Sequence, residues 1–125
     1  MKQSQIIGAY MALGKLTTHE WPVKTAYNLM LIQDALEPAY KAGIRMQEKL
    51  IGQYGGVETE RGTFTFPSIN EQKGFQSALE ELLDADATVT YSPIMIQDGI
   101  PNGLTLRPAD MRALDGIVNF NIQTE

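Results

Sequence analysis

Apolar residues recur at helical spacing through most of the first half of this chain and at strand spacing in patches of the second. In residues 4–13, Ile6, Ile7, Tyr10 and Met11 share a face, with Ser4 at the start and Gly14 just beyond. That pattern predicts a short amphipathic helix capped by Ser4 and ended by Gly14. After the polar link Thr17-Thr18-His19-Glu20, Trp21-Pro22 opens a second helix. Pro suits the first helical position because the helix leaves that N–H unpaired anyway. Leu29, Ile32, Leu36, Tyr40, Gly43, Met46, Leu50 and Tyr54 then fall on one side, which predicts one long helix to about residue 54. Residues 26–36 are apolar nearly all round, so burial on more than one side is expected, and with it a dimer or higher symmetric oligomer formed through the long helix. Pro38 cannot donate to the carbonyl of Asp34, which predicts a kink there or two abutting helices.

Gly55-Gly56 is expected to stop this helix, and residues 57–66 read as a β-hairpin. Its turn falls near Arg61-Gly62, and Thr63-Phe64-Thr65-Phe66 alternates as the return strand. Ser68 and Glu71 have capping-box spacing, and Phe75, Ala78, Leu79, Leu82 and Leu83 give a third helix one apolar face, ending near Asp84. Residues 88–91 are β-rich, and Ile94-Met95-Ile96 continues the strand past Pro93, placing that proline at an edge or bulge. Asp98-Gly99 and Asn102-Gly103 signal turns. A short helix is expected from Pro108 to before Gly116, and Val118, Phe120 and Ile122 alternate with Asn119 and Asn121 as a last strand. The sum is α+β: N-terminal helices including one long kinked helix, then a small, mostly antiparallel sheet with a packed helix.

Length and composition fit a single domain over residues 1–125: 43% of residues are hydrophobic and 20% charged, the balance of a folded globule. Cys is absent, which removes disulfides, thiolate metal sites and a Cys nucleophile. Apolar runs such as Leu29-Met30-Leu31-Ile32 are too short for a bilayer, and Met1-Lys2-Gln3-Ser4 opens no secretory signal. A soluble, unexported protein with no membrane partner is expected. Net charge of −5 argues against general affinity for nucleic acid. The charge is uneven: residues 1–66 carry seven Lys/Arg against six Asp/Glu, residues 67–125 three against nine. That asymmetry suits either a solvated acidic face or self-association by charge complementarity.

Few residues suggest chemistry. His19 is the only His, and the His19-Glu20 pair lacks the second His that a zinc-protease motif needs. Asp84-Ala85-Asp86 lacks the further ligands of a calcium loop. The Gly-rich residues 52–56 follow a helix, whereas phosphate-cradling loops lie between a strand and a helix. No catalytic residue, metal ligand or cofactor is expected. One constellation stands out: Lys41, Arg45 and Lys49 recur every four residues, with Tyr40 and Tyr54 placed near the edges of the ridge they form. Such a ridge can receive phosphates while the aromatics stack a base, or it can be a solvent-facing side with local pairs such as Glu37 to Lys41.

Several segments together carry a resemblance: Ala12-Leu13-Gly14-Lys15-Leu16, Pro22-Val23-Lys24-Thr25-Ala26-Tyr27, Glu37-Pro38, Leu50-Ile51-Gly52-Gln53-Tyr54-Gly55, Phe75 with Leu79-Glu80-Glu81-Leu82-Leu83, and residues 104–114. In these the chain resembles a family of short tailed-phage (siphophage) proteins of unknown function, from phages of Gram-positive and gut bacteria. It differs in a shorter link between the hairpin strands and in Pro93 and Pro101. The resemblance implies a viral protein but brings no catalytic residues. The expected function is a non-enzymatic phage accessory binding protein in the host bacterial cytoplasm during infection, assembled as a homo-oligomer. It would act in counter-defence by sequestering a nucleotide-like signal or a host protein. The alternatives are a virion or assembly component and an enzyme completed at an oligomer interface.

Overall fold

The first helix, α1 (Gln3–Thr17), begins earlier and ends later than its local signals indicate. Lys2, not Ser4, is its N-cap residue, and the Lys2 N–H donates to Gln5 Oε1 at 2.8 Å. Gln3 N–H donates to the Ala85 carbonyl and Ala87 N–H to the Met1 carbonyl, so a distant stretch of chain fixes the start. At the other end the helix passes through Gly14, because Leu16 is fully buried and anchors one more turn. That burial outweighs the roughly 1 kcal/mol a helical Gly costs. Thr17 and Thr18 hydroxyls donate to the Gly14 and Lys15 carbonyls and close the end. The buried stripe is Ile6, Ala9, Ala12, Leu13 and Leu16, while Met11, expected on it, is exposed.

Trp21 Nε1–H donates to the Leu16 carbonyl at 2.7 Å and turns the link into α2 (Val23–Gln53), with Pro22 as its N-cap. This structure is a computed structural model, and it describes residues 1–97 and 99–120. Leu29, Ile32, Leu36, Gly43 and Leu50 of α2 are buried, as the period predicts, but Met46 of the same set is exposed. Residues 26–36 bury one side only; Tyr27, Met30 and Leu31 face out. α2 is one uninterrupted helix through Pro38, not two abutting ones. Pro38 and Asp34 are both on the exposed side, where water can take the carbonyl that lacks its donor. Pro38→Ala is therefore expected to keep the fold and raise the thermal midpoint slightly, by restoring that bond. A lowered midpoint would show that the packing of α2 depends on the proline.

Tyr54 and Gly55 end α2 in a Schellman motif: Gly56 N–H donates to the Ile51 carbonyl and Gly55 N–H to that of Gly52, with Gly55 at φ +74°. β1 (Val57–Glu60) and β2 (Thr63–Thr65) then pair antiparallel across Arg61-Gly62, with Gly62 at φ +82°. Phe66 leaves the ladder and stacks on Phe75 of α3 (Ile69–Asp84), ring centroids 4.8 Å apart. The Ser68 hydroxyl accepts from Glu71 N–H, the cap the spacing predicts. The expected apolar face of α3 packs towards α2 and α1, yet none of its residues is fully buried.

Residues 88–93 form no strand; Val89 and Tyr91 pack on the core while their backbone pairs with no strand among the described residues. β3 (Ile94–Ile96) starts just after Pro93 and pairs parallel with β4 (Val118–Phe120). Among the described residues the strands thus divide into two separate two-stranded ladders, one antiparallel and one parallel. A parallel pair needs a crossover, supplied by residues 97–117 with α4 (Pro108–Leu114). Asp110 ties α4 to α1 by accepting from Lys15 Nζ at 2.6 Å, and also from Arg107 N–H. The Lys15 hydrogen bond, then that from Arg107, holds its carboxyl below the ordinary value. The expected positions Asp98, Asn121 and Ile122 lie outside the described residues. The fold is mixed α+β, its core formed by α1, the first half of α2, α4 and the β3–β4 ladder.

Candidate functional site on the outer face of α2

At 100° per residue, the buried positions of α2 define one side and leave an opposite, outward side. That outward side has two halves. Val23, Tyr27, Met30 and Leu31 make the first apolar, and Lys41, Arg45 and Lys49 make the second basic; all seven are exposed. Asp34 and Pro38 stand between them.

Within the basic half, Lys41 Nζ lies 2.7 Å from Glu37 Oε1, one turn back. The hydrogen bond from Lys41 to Glu37, and then the Glu37 charge, raise the Lys41 pKa; Arg45 opposes this weakly. Arg45 and Lys49 form no ion pair among the described residues. The two tyrosines do not border the ridge. Tyr40 stacks on Tyr10 of α1 at a centroid distance of 4.1 Å, and a Cβ on Gly74 of α3 would come within 2.6 Å of the Tyr54 ring. Both are half-buried on the inward side, so the structure unites the three cations and separates them from the aromatics. The ridge is convex and open, unlike the concave pockets that enclose small ligands.

The other chemical candidates resolve into structural contacts. The His19 ring meets Trp21 edge-on at 5.3 Å in the link. Asp84 accepts from Lys2 Nζ at 2.6 Å, an exposed pair that raises the Lys2 pKa. Among the described residues no three His, Asp or Glu side chains gather as metal ligands, and no helix is long and apolar enough to cross a membrane. The apolar half of the outer face falls in residues 26–36 and just before them, the stretch whose excess apolar surface leads the sequence to expect self-association through the long helix. It is flanked by a groove of about 470 Å³ between Asn28 and Leu31 on one wall and Thr90, Tyr91 and Pro93 on the other. Comparison with protein-family models, curated proteins and solved structures finds no match for this chain.

Proposed function

We propose that this chain is a non-enzymatic accessory protein of a tailed phage, acting in the host cytoplasm by binding an acidic surface of a host defence protein. The phage assignment rests on the resemblance carried by Pro22-Val23-Lys24-Thr25-Ala26-Tyr27, Glu37-Pro38 and the segments around them. The binding assignment rests on one observation. In a chain of net charge −5, three cations line one exposed helix face, and among the described residues only Lys41 of the three forms an ion pair, with Glu37. A convex basic ridge meets an extended acidic surface more readily than it encloses a nucleotide, and charge complementarity of this kind steers association. Arg45 is the best-placed anchor, since its planar fork holds two carboxylate oxygens at once.

The test pairs a functional and a binding assay. Wild type expressed in a defence-bearing host is expected to restore plating of a sensitive phage, and Arg45→Glu to lose that effect. Loss of one charge-assisted contact of about 1.5–3 kcal/mol weakens binding roughly ten- to hundred-fold. The fold of the variant should hold, because an exposed cation contributes at most about 1 kcal/mol to stability. Calorimetric titration with cyclic and linear nucleotides is expected to give no heat. Nucleotide binding that Arg45→Glu abolishes would instead favour sequestration of a small signal, and recovery of the chain in purified particles would favour a virion component.

A further inference from the structure

The apolar half of the same outer face is a second surface, and it does not depend on what the basic half binds. Val23 is 86% exposed, Tyr27 59%, Met30 55% and Leu31 48%. Their spacing of four, three and one keeps them on a single stripe of α2. Two opposite charges bracket that stripe, Lys24 at its start and Asp34 at its end. Both are exposed, and neither forms an ion pair among the described residues.

We infer that this stripe binds a second copy of the chain, α2 against α2 and antiparallel, with the two-fold axis level with position 29. The charges select the occupant and the direction. A symmetric antiparallel pair sets each position opposite one whose number makes up the same sum, so Lys24 lies level with the second copy's Asp34, twice over. Tyr27 lies level with its Leu31. A parallel pair would instead put Lys24 beside Lys24 and Asp34 beside Asp34, which like-charge repulsion disfavours; flanking charges choose orientation this way in paired helices.

The remaining surface agrees with this register. Four side chains alone fall short of the roughly 800 Å² per partner that a standard interface buries. The groove between Leu31 and the residue 90–94 segment lies beside the stripe and gives the second copy's apolar side chains a further wall. Position 41 falls level with position 17 of the other copy, which precedes the start of α2 at Val23. The basic halves therefore project from opposite ends, with the two Arg45 positions about 48 Å apart along the axis at 1.5 Å per residue. Like-charged ridges stay apart, and both remain open.

Sedimentation velocity across the micromolar range tests this directly. Wild type should approach twice the 13.9 kDa chain mass as concentration rises. Lys24→Glu and Asp34→Lys should each weaken self-association at least roughly ten-fold, because each creates two like-charge contacts. Equimolar mixing of these two single variants should restore the dimer, since every contact in the mixed pair is again complementary. The Lys24→Glu/Asp34→Lys double variant should also dimerise, and circular dichroism checks that each variant is folded. Wild type at monomer mass throughout overturns the inference. So do single reversals that leave association unchanged, or folded variants that fail to recover it on mixing. None of these outcomes bears on Arg45, so failure here is distinct from failure of the proposed function.

Discussion

Leu29→Ala is expected to destabilise the chain by about 2–5 kcal/mol, a large share of the roughly 5–15 kcal/mol that holds a domain folded. Leu29 is fully buried on the inward side of α2, in the core cluster that also holds Ile6, Leu13, Leu16, Ile32 and Leu36. Truncation removes the transfer free energy of three carbons and leaves a cavity that a helix pinned by α1 cannot collapse into. A loss of about 3 kcal/mol would lower Tm by roughly 10 °C in a domain of this size. Leu31→Ala is the internal control, because the same chemistry two residues on removes a side chain from the outer face. In dilute solution it should change stability by less than about 0.5 kcal/mol. Urea denaturation of both variants measures the contrast. Equal effects would mean that the two faces of α2 are not distinguished as described.

The parts of the fold that were legible rest on local chemistry. The end of α2 follows from Gly55, whose positive φ completes the Schellman bonds, and the hairpin from Gly62 at its turn. The start of α3 follows from Ser68 and Glu71, and α4 from Pro108 and Gly116, the latter at φ +77°. The features that went astray rest on distant partners. Ser4 loses the cap position because Ala85 and Ala87, on a far stretch of chain, hold residues 1–3 in place. Gly14 fails to end α1 because the burial of Leu16 lies beyond it. The parallel pairing of Ile94–Ile96 with Val118–Phe120 brings together two short strands that no local turn connects.

The candidate site was legible in the same uneven way. The four-residue period of Lys41, Arg45 and Lys49 guarantees a shared face on any regular helix. The same arithmetic could have removed the tyrosines: Tyr40 is five positions before Arg45, about 140° round the helix. Its stacking on Tyr10 and the packing of Tyr54 at Gly74 follow from that direction. The excess of apolar residues between positions 26 and 36 points to self-association from sequence alone, but which side stays free needed the structure, because sequence does not show which side α1 covers.

Gly43→Ala is the second large effect expected, and its sign opposes helix propensity. Replacing a helical Gly by Ala ordinarily stabilises by about 1 kcal/mol. At position 43, however, the added methyl would fall on the Gln3 carboxamide nitrogen and come within 2.6 Å of its carbon. Gln3 is buried, and its Nε2–H donates to the Ala39 carbonyl at 3.2 Å, so the side chain fills the space that the missing Cβ leaves between α1 and α2. The methyl forces the carboxamide out or pushes the helices apart, with overpacking costs of about 1–3 kcal/mol plus the loss of a hydrogen bond worth about 0.5–1.5 kcal/mol. These outweigh the propensity gain, for a net loss of roughly 1–3 kcal/mol. A double-mutant cycle decides the cause. Gln3→Ala/Gly43→Ala removes the clash and should recover most of the loss, giving a coupling free energy above about 1 kcal/mol between two residues forty positions apart. If the single substitution stabilises, or the pair is additive, the close approach of α1 to α2 at Gly43 is not what positions Gln3.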